Sequence, residues 1–160
     1  MCIFVLHAKR DIKQVTNNNY KTIMRPTHIE HLGIAVTSLE ATMPFFELLT
    51  GSKCYSIEEV ADQKVKTAFF KVGQTKIELL EPTCPESTIA KFIEKNGGRG
   101  GIHHVALNIE NVAEALKEAQ EAGLQLIDLQ PRKGAENLMI AFLHPKSTCG
   151  VLTELCEQPK

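Results

Sequence analysis

Two His–Glu pairs recur along the chain at nearly the same spacing. Glu78 follows His31 by 47 residues, and Glu154 follows His104 by 50 residues. Each glutamate stands between apolar neighbours in strand-like sequence, where a carboxylate is costly unless it is paired, protonated or bound to metal. Two imidazole nitrogens and two carboxylate oxygens suit a divalent ion such as Co²⁺, Mn²⁺, Ni²⁺ or Zn²⁺. The spacing therefore predicts one metal site built from these four side chains.

Other histidines near these positions fit the site less well. His103 is adjacent to His104 and should point to the opposite face of a strand, and His28 should also face away from His31. His144 stands at a predicted strand end, where it could line a cleft. A single strand glutamate can simply face solvent on one side of an antiparallel sheet. Because the His–Glu pair recurs at matching positions in both halves, one shared metal site is favoured over separate structural roles for these residues.

The two ligand histidines open similar segments of sequence. With His31 aligned to His104, bulky aliphatic residues fall one, three and five positions later in both segments, and small or polar residues fall between them. This period of two predicts half-buried strands. The chain therefore contains an internal repeat, and each copy starts with a strand that carries a histidine.

A helix is predicted after each of these strands. In the second half Asn111 is the N-cap, and Glu114 completes a capping-box pair. In the first half the helix lies within residues 38–51 and contains Pro44, which predicts a kink or a restart just before it. The connector between the halves, about residues 81–101, carries a short amphipathic helix and ends in a glycine-rich run. That run is interpreted as a linker because no Lys-Ser/Thr follows it, as a phosphate loop would require.

Three short strands are predicted after each main helix, which gives two βαβββ modules and an α+β fold. The modules span about residues 28–82 and 102–157, within a domain of residues 27–158. The expected strands lie near Lys53–Ile57, Val65–Val72 and Thr75–Leu80 in the first half, and near Leu124–Asp128, Leu138–Leu143 and Val151–Cys156 in the second.

Composition limits the classes of protein that remain. The chain has 160 residues, 43% hydrophobic and 23% charged, as in an ordinary globular domain. A formal net charge of -1 offers no basic field for nucleic acid. No apolar run approaches the roughly 18 residues of a membrane span. Five cysteines without a Cys-x-x-Cys motif favour a reduced, cytoplasmic setting. Residues 1–26 are predicted to be a disordered extension.

At these motifs the sequence resembles the methylmalonyl-CoA epimerase family of the vicinal oxygen chelate (glyoxalase) superfamily. The resemblance covers about residues 27–157. The matching segments are residues 28–36 (HIEHLGIAV), 75–82 (TKIELLEP), 89–92 (IAKF), 101–104 (GIHH), 142–146 (FLHPK) and 150–155 (GVLTEL). The four-ligand pattern is shared with glyoxalase I, whereas the connector helix and the His-Pro-Lys segment are more specific to the epimerases.

The resemblance implies interconversion of the (R) and (S) epimers of methylmalonyl-CoA through an enediolate formed at C2. It also implies a homodimer in which each chain curls its eight-stranded mixed sheet into a U-shaped metal cleft. A divalent metal, with Co²⁺ the first candidate, would act as a Lewis acid on the developing charge. Epimerisation also needs a base on one face of C2 and an acid on the other.

The chain departs from the family pattern near the proposed metal. Many members carry Gln at the position of Glu78 and a separate carboxylate on the strand around residues 65–69, where this chain has Lys66 and Thr67. We therefore expect Glu78 and Glu154 to serve both as metal ligands and as the two acid/bases, as in glyoxalase I. Cationic partners for the CoA phosphates remain open, and each candidate could equally be a solvated surface charge. The candidates are Arg132, Lys133 and Lys146.

Three alternatives differ in their chemistry. A glyoxalase I-type lyase would share all four ligands and the proton transfer. An extradiol dioxygenase would use two histidines and one glutamate with open iron positions, and the fourth ligand argues against it. A non-enzymatic binding member of the superfamily would not need to keep all four ligands.

Overall fold

The computed structural model describes residues 24–159, which contain eight strands and three helices. In chain order these are β1 (His28–Ala35), α1 (Leu39–Thr50), β2 (Ser56–Val60), β3 (Val65–Val72), β4 (Thr75–Pro82), α2 (Thr88–Lys95), β5 (Gly101–Asn108), α3 (Val112–Glu121), β6 (Arg132–Lys133), β7 (Met139–Leu143) and β8 (Thr153–Glu157). Two short 3₁₀ turns lie at Ala61–Gln63 and Ala135–Asn137. The predicted extension falls mostly on residues 1–23, which lie outside the described part.

All eight strands form one mixed sheet in the order β2-β3-β4-β1-β5-β8-β7-β6, curled into a half-barrel. In each module the first strand pairs in parallel with the last, β1 with β4 and β5 with β8. The two modules join where β1 and β5 pair antiparallel at the centre. The predicted α+β fold with an eight-stranded mixed sheet is confirmed.

The central pairing is symmetric about one residue pair. Leu32 pairs with Val105, and on either side of this pair His31 faces Ala106 and Gly33 faces His104. Each ligand histidine therefore lies opposite a small residue of the other module. This register brings the two histidines to neighbouring positions at the middle of the sheet.

Two β-bulges interrupt the same pairing. The register shifts between Ile29 and His31, so Glu30 has no partner, and it shifts again so that His103 has none. A bulge leaves its extra residue out of the ladder and turns its side chain away from simple alternation. Each bulged residue immediately precedes a ligand histidine.

The helix α1 runs continuously through Pro44, so the alternative of a restart before it was wrong. Ser38 caps the helix by accepting a hydrogen bond from the Ala41 N–H at 3.2 Å, and Gly51 ends it with φ of 68°. Pro44 cannot donate to the carbonyl of Glu40, but both residues are exposed. Water can therefore satisfy that carbonyl, which makes the proline tolerable.

Two predicted strands were wrongly placed. Residues 124–128 make only an isolated bridge, Leu126 to Leu143, because the Asp128 carboxylate accepts the Phe142 N–H at 2.9 Å in place of a ladder partner. The outer strand of that module is the short β6 instead. In the first module β2 starts at Ser56, later than the predicted Lys53.

The helices α1 and α3 cover the convex face of the sheet, and α2 covers one end of the concave face. Ile89 and Ile93 of α2 pack with Ala35, Val65 and Leu80. At the other end of the concave face lies an apolar cluster of Ala106, Leu138, Ile140 and Cys156. Among residues 24–159, no helix combines the length and apolar character that crossing a membrane requires.

Candidate metal centre

The four predicted ligands meet on the concave face of the sheet. His31 Nε2 and His104 Nε2 lie 2.9 Å apart. Glu78 Oε2 lies 3.2 Å from the former and 3.7 Å from the latter, and Glu154 Oε2 lies 3.6 Å and 3.0 Å away from them. All four residues are at most 6% exposed. The structure therefore brings together every residue that the repeat predicted for this site.

Sheet register places each glutamate in one row with the histidine of the other module, although its Oε2 lies closer to the histidine of its own module. Gly33 pairs with Glu78 on one side and with His104 on the other, so these three residues form one row across the sheet. Glu154, Ala106 and His31 form the equivalent row. The small central residue of each row leaves space for the ligands to converge.

Gly33 is needed because the His104 ring lies directly over it. A Cβ on Gly33 would stand 2.1 Å from His104 Cε1 and 2.5 Å from its ring nitrogens. No side chain fits there unless the ring moves. Ala106, in the equivalent place, keeps its Cβ and is fully buried.

Each ligand histidine is oriented by the bulged residue before it. His31 Nδ1 lies 2.5 Å from the Glu30 carboxylate, and His104 Nδ1 lies 2.9 Å from His103 Nδ1. Fixing the Nδ1 side directs Nε2 toward the site, as is usual for metal-ligating histidines. The prediction that His103 points away on the opposite face was wrong, because the bulge breaks the alternation on which it rested.

The other predicted candidates lie outside the cluster. His28 makes a 2.8 Å contact with Thr27, and His144 Nδ1 accepts the Lys146 N–H at 3.1 Å. Arg132 lies over the Phe142 ring at 5.6 Å, and Phe142 in turn contacts the His104 ring. Lys133 and Lys146 are exposed.

Burial and mutual contacts set the charges of the cluster. Burial alone would lower the pKa of His31, but hydrogen bonds to Glu154, Glu30 and Glu78 raise it well above its usual value. Burial would raise the pKa of Glu154, yet its contacts with His104 and His31 hold it well below its usual range. Burial and the nearby His104 lower the pKa of His103 to about 4.

One buried thiol adjoins the site without fitting the ligand set. Cys156 Sγ donates to Glu154 Oε1 at 3.4 Å. Burial first, and then the negative charge of Glu154, raise the pKa of this thiol. Cys156 therefore stays protonated and supports the glutamate, while Nε2 and Oε2 atoms supply the donors. The four cysteines in the described part of the chain are all free.

The donor set fits a divalent metal ion. Metal–ligand bonds of about 2.0–2.2 Å place neighbouring ligand atoms roughly 3.0–3.5 Å apart, and the His–His and His–Glu separations here are 2.9–3.7 Å. The ligand atoms of His31, Glu78 and His104 all lie within 4.8 Å of one another. Two buried carboxylates would balance a +2 charge, which supplies the compensation that buried carboxylates need.

A second group of polar residues adjoins His31 that the sequence did not reveal. Lys76 Nζ lies 2.5 Å from Glu30 Oε1 and also contacts the Glu136 carboxylate, which accepts the Tyr55 hydroxyl at 3.0 Å. Glu30 and Lys76 lie in strands of the first module, whereas Glu136 comes from the second. The one indication in the sequence was that Glu30 aligns with His103 when His31 is aligned with His104.

The structure places Thr67, rather than an acid, on the concave side of β3. Thr67 is 1% exposed and lines the cavity around the metal ligands, whereas Lys66 faces outward. The cavity has a volume of about 30 Å³. The described part of β3 therefore contributes no carboxylate to the cavity, and Glu78 and Glu154 are the carboxylates within 3.7 Å of the histidine Nε2 atoms.

Comparison with known proteins places the chain in a family. Residues 30–142 match the Glyoxalase/Bleomycin resistance protein/Dioxygenase superfamily. The chain is 42% identical over 129 residues to an uncharacterized protein of Bacillus subtilis, covering 81% of this chain and 91% of that protein. It is 37% identical over 128 residues to the ethylmalonyl-CoA/methylmalonyl-CoA epimerase of Cereibacter sphaeroides, covering 79% and 95%.

A solved structure agrees with these relatives. A variant of Streptomyces coelicolor methylmalonyl-CoA epimerase in complex with 2-nitronate-propionyl-CoA superposes with a TM-score of 0.80 at 34% identity, covering 85% of this chain and 100% of that one. The chain therefore belongs to the glyoxalase/bleomycin resistance protein/dioxygenase superfamily and, within it, to the methylmalonyl-CoA epimerase family.

Proposed function

We propose that the chain is an epimerase that interconverts (R)- and (S)-methylmalonyl-CoA by taking the C2 proton from one face and returning it to the other. The observation that carries this proposal is the convergence of two histidines and two glutamates, one of each from either module, in a chain 37% identical to a named epimerase. The C2 proton lies between a thioester carbonyl and a carboxylate, so its removal leaves a delocalised enediolate.

The residues that would hold the metal are His31, Glu78, His104 and Glu154. A divalent ion bound by them supplies Lewis-acid stabilisation of the negative charge that develops on the substrate oxygens. Imidazole and carboxylate donors suit several first-row metals, of which Co²⁺ is our first candidate and Mn²⁺, Ni²⁺ and Zn²⁺ are the others. Glu30 and His103 keep the two imidazoles oriented for this task.

Glu78 and Glu154 are the proposed acid/bases. One carboxylate accepts the C2 proton, and the other, protonated, donates a proton to the opposite face of the planar enediolate. Contacts with histidines keep the pKa of Glu154 low, so this residue starts the cycle ionised. Thr67 supports this assignment because a buried hydroxyl replaces the carboxylate that other family members carry nearby.

The ligand in the S. coelicolor complex is compatible with this chemistry. A nitronate is a planar anion whose carbon is trigonal, which is also the geometry of C2 after proton loss. A site complementary to such an anion stabilises the transition state more than the ground state. The likeness of the two structures supports the same substrate class here.

We also propose a homodimer in the cytoplasm. The helix α1 carries large apolar side chains that are exposed in the single chain, with Phe45 at 58%, Leu48 at 83% and Leu49 at 62%. Such a patch is typical of an interaction surface. Leu48→Glu should shift a dimer toward the monomer in size-exclusion chromatography with light scattering.

An assay with metal control tests the epimerase proposal. The purified protein is stripped of metal with a chelator, reloaded with Co²⁺, Mn²⁺, Ni²⁺ or Zn²⁺, and given one epimer of methylmalonyl-CoA. We expect epimerisation only after reloading, with about one ion bound per chain. A metal-loaded protein that leaves the epimer unchanged would refute the proposal.

A glyoxalase I-type lyase is the second candidate, favoured by one observation. Two glutamates and two histidines, with Thr67 in place of the extra carboxylate, form the ligand set that the sequence shares with glyoxalase I. The hemithioacetal of methylglyoxal distinguishes the two activities. Conversion of the hemithioacetal without methylmalonyl-CoA epimerisation would favour the lyase.

A further inference from the structure

The metal cavity contains one permanently cationic side chain, Lys76. Among the described residues that line the cavity, Lys76 alone is a lysine or arginine. Its side chain is only 13% exposed, and its Nζ lies between the carboxylates of Glu30 and Glu136. Burial would lower the pKa of Lys76, but these two carboxylates raise it. The ammonium is therefore charged and held inside the cleft.

Glu136 reaches Lys76 from a segment that crosses between the modules. We call residues 134–138 the strap. Its partners belong to the first module: Lys76, the Tyr55 hydroxyl at 3.0 Å from Glu136 Oε1, and Glu58 Oε2, which accepts the Glu136 N–H at 3.0 Å. Glu136 has φ of 52°, in the left-handed region that a glutamate rarely adopts. Its contacts must offset that strain.

The Lys76–Glu136 pair separates two cavities of very different size. The inner cavity, which contains the metal ligands, has a volume of about 30 Å³. That is room for roughly one water molecule, and a branched dicarboxyl thioester does not fit. An outer cavity of about 360 Å³ lies on the other side. Lys76 and Glu136 line both cavities.

We propose that Lys76 recognises the free carboxylate of the acyl group, and that Glu136 occupies this place until the substrate displaces it. This inference rests on the proposed epimerase function and deepens it by naming the residue that selects the substrate. Substrate arriving in the outer cavity exchanges its carboxylate for that of Glu136. The Glu136 side chain then moves aside, while Leu138 stays packed in the core, and the acyl group reaches the metal cavity.

Glu136, rather than Glu30, is the exchangeable partner. The Glu30 side chain is 3% exposed and its other oxygen holds His31, whereas the Glu136 side chain is 23% exposed and lies on a strained turn. Replacing one carboxylate with another keeps the charge around Lys76 unchanged. A thioester without a free carboxylate would instead leave the buried ammonium short of a partner, which is unfavourable.

The test compares two ligands in matched variants. Affinities for methylmalonyl-CoA and for propionyl-CoA, which lacks the free carboxylate, are measured by calorimetry with metal-loaded protein, alongside KM for epimerisation. Lys76→Met should weaken methylmalonyl-CoA binding about ten- to hundredfold, the worth of a charged hydrogen bond. It should not weaken propionyl-CoA binding, because it removes the ammonium that this ligand leaves short of a partner. Glu136→Gln should strengthen methylmalonyl-CoA binding because the internal competitor is lost.

Lys66→Met is the matched control, because Lys66 lies on β3 with its side chain exposed and lines neither cavity. It should alter both affinities less than about twofold. Metal content is measured in every variant, and Glu136→Gln decides the outcome if Lys76→Met has lost metal. An equal effect of Lys76→Met on both ligands, or weaker methylmalonyl-CoA binding in Glu136→Gln, would overturn this proposal. An inactive wild type that still discriminates between the thioesters would overturn the epimerase function alone.

Discussion

The two modules supply equivalent candidate metal ligands but surround them differently. In both, a histidine follows a bulge, and a glutamate pairs with the residue two positions after that histidine. The bulged residue is Glu30 in the first module and His103 in the second, and the small residue is Gly33 in one and Ala106 in the other. The internal repeat determines where the histidine and glutamate side chains converge. The residues next to them differ between the modules and make the two halves of the site chemically distinct.

The difference extends outward from the ligands. Glu30 connects His31 to the charged Lys76 and so to the strap. His103 instead packs edge-on against Phe92 of α2, with ring centroids 5.1 Å apart. The surroundings of His31 are therefore charged, whereas His103 adjoins the apolar helix α2, so substrate should enter past the charged group of Glu30, Lys76 and Glu136.

The largest expected effect is that of Gly33→Ala, because its Cβ would overlap the His104 ring. We expect the displaced ring to reduce metal affinity by about tenfold or more, on the order of the loss from disturbing ligand orientation. Metal titration monitored by calorimetry measures this, and circular dichroism checks that the fold is retained.

Ala106→Gly is the control from the other module. It removes a methyl group at the equivalent place and moves no ligand, so metal affinity should stay within about threefold while stability falls by roughly 1 kcal/mol. Equal loss of metal affinity in Gly33→Ala and Ala106→Gly would show that the two rows of residues respond alike to substitution. The proposed difference between the modules would then be wrong.

Glu30→Gln should have the next largest effect. An amide holds the His31 Nδ1 less strongly than a carboxylate does, and it also weakens the contact with Lys76. We expect metal affinity to fall by about tenfold. His103→Asn, which alters the neutral partner of His104, should reduce it by less. If His103→Asn proved the more damaging, His104 rather than His31 would depend on its bulged neighbour.

In the metal-free protein, His103 and His31 should make the free energy of unfolding depend on pH with opposite signs. His103 binds a proton in the unfolded chain below about pH 6.5, but in the folded protein only below about 4. Its contribution therefore lowers stability as pH falls through that window, by up to about 3 kcal/mol. His31 has a raised pKa, so its contribution is present below about pH 6.5 and is lost as pH rises through the raised value.

Urea unfolding at several pH values, with a chelator present, measures both contributions. His103→Asn should flatten the decline between pH 6.5 and 4. His31→Gln should remove the loss of stability at higher pH. Identical pH profiles in the two variants would mean that the bulged neighbours do not differentiate the histidines.

The convergence of the four residues and the fold could be predicted because both depend on local periodicity. The alternation after His31 and His104 identified two strands, and the recurrence of Glu78 and Glu154 identified their partners. The bulges could not be predicted, because a bulge depends on the register between two strands rather than on either one. The predicted orientation of the His103 side chain was wrong for that reason.

The strap could not be predicted from the sequence either, because it too depends on contacts between distant segments. Glu136 and Asn137 adopt positive φ although neither is glycine, and tertiary contacts with the other module compensate for that conformation. The strand predicted at residues 124–128 failed because the Asp128 side chain replaces a ladder partner. Contacts between distant segments decide both features, and no pattern within a short window encodes them.

Deuterium exchange at C2 of methylmalonyl-CoA shows whether one shared metal site has a glutamate for each face of the substrate. Each epimer is incubated in D₂O with metal-loaded wild type, Glu78→Gln or Glu154→Gln, and deuterium at C2 is followed by mass spectrometry. We expect wild type to exchange both epimers and each variant that retains metal to lose exchange mainly on one face, the two variants on opposite faces. Undiminished exchange at both faces in Glu78→Gln would contradict the account.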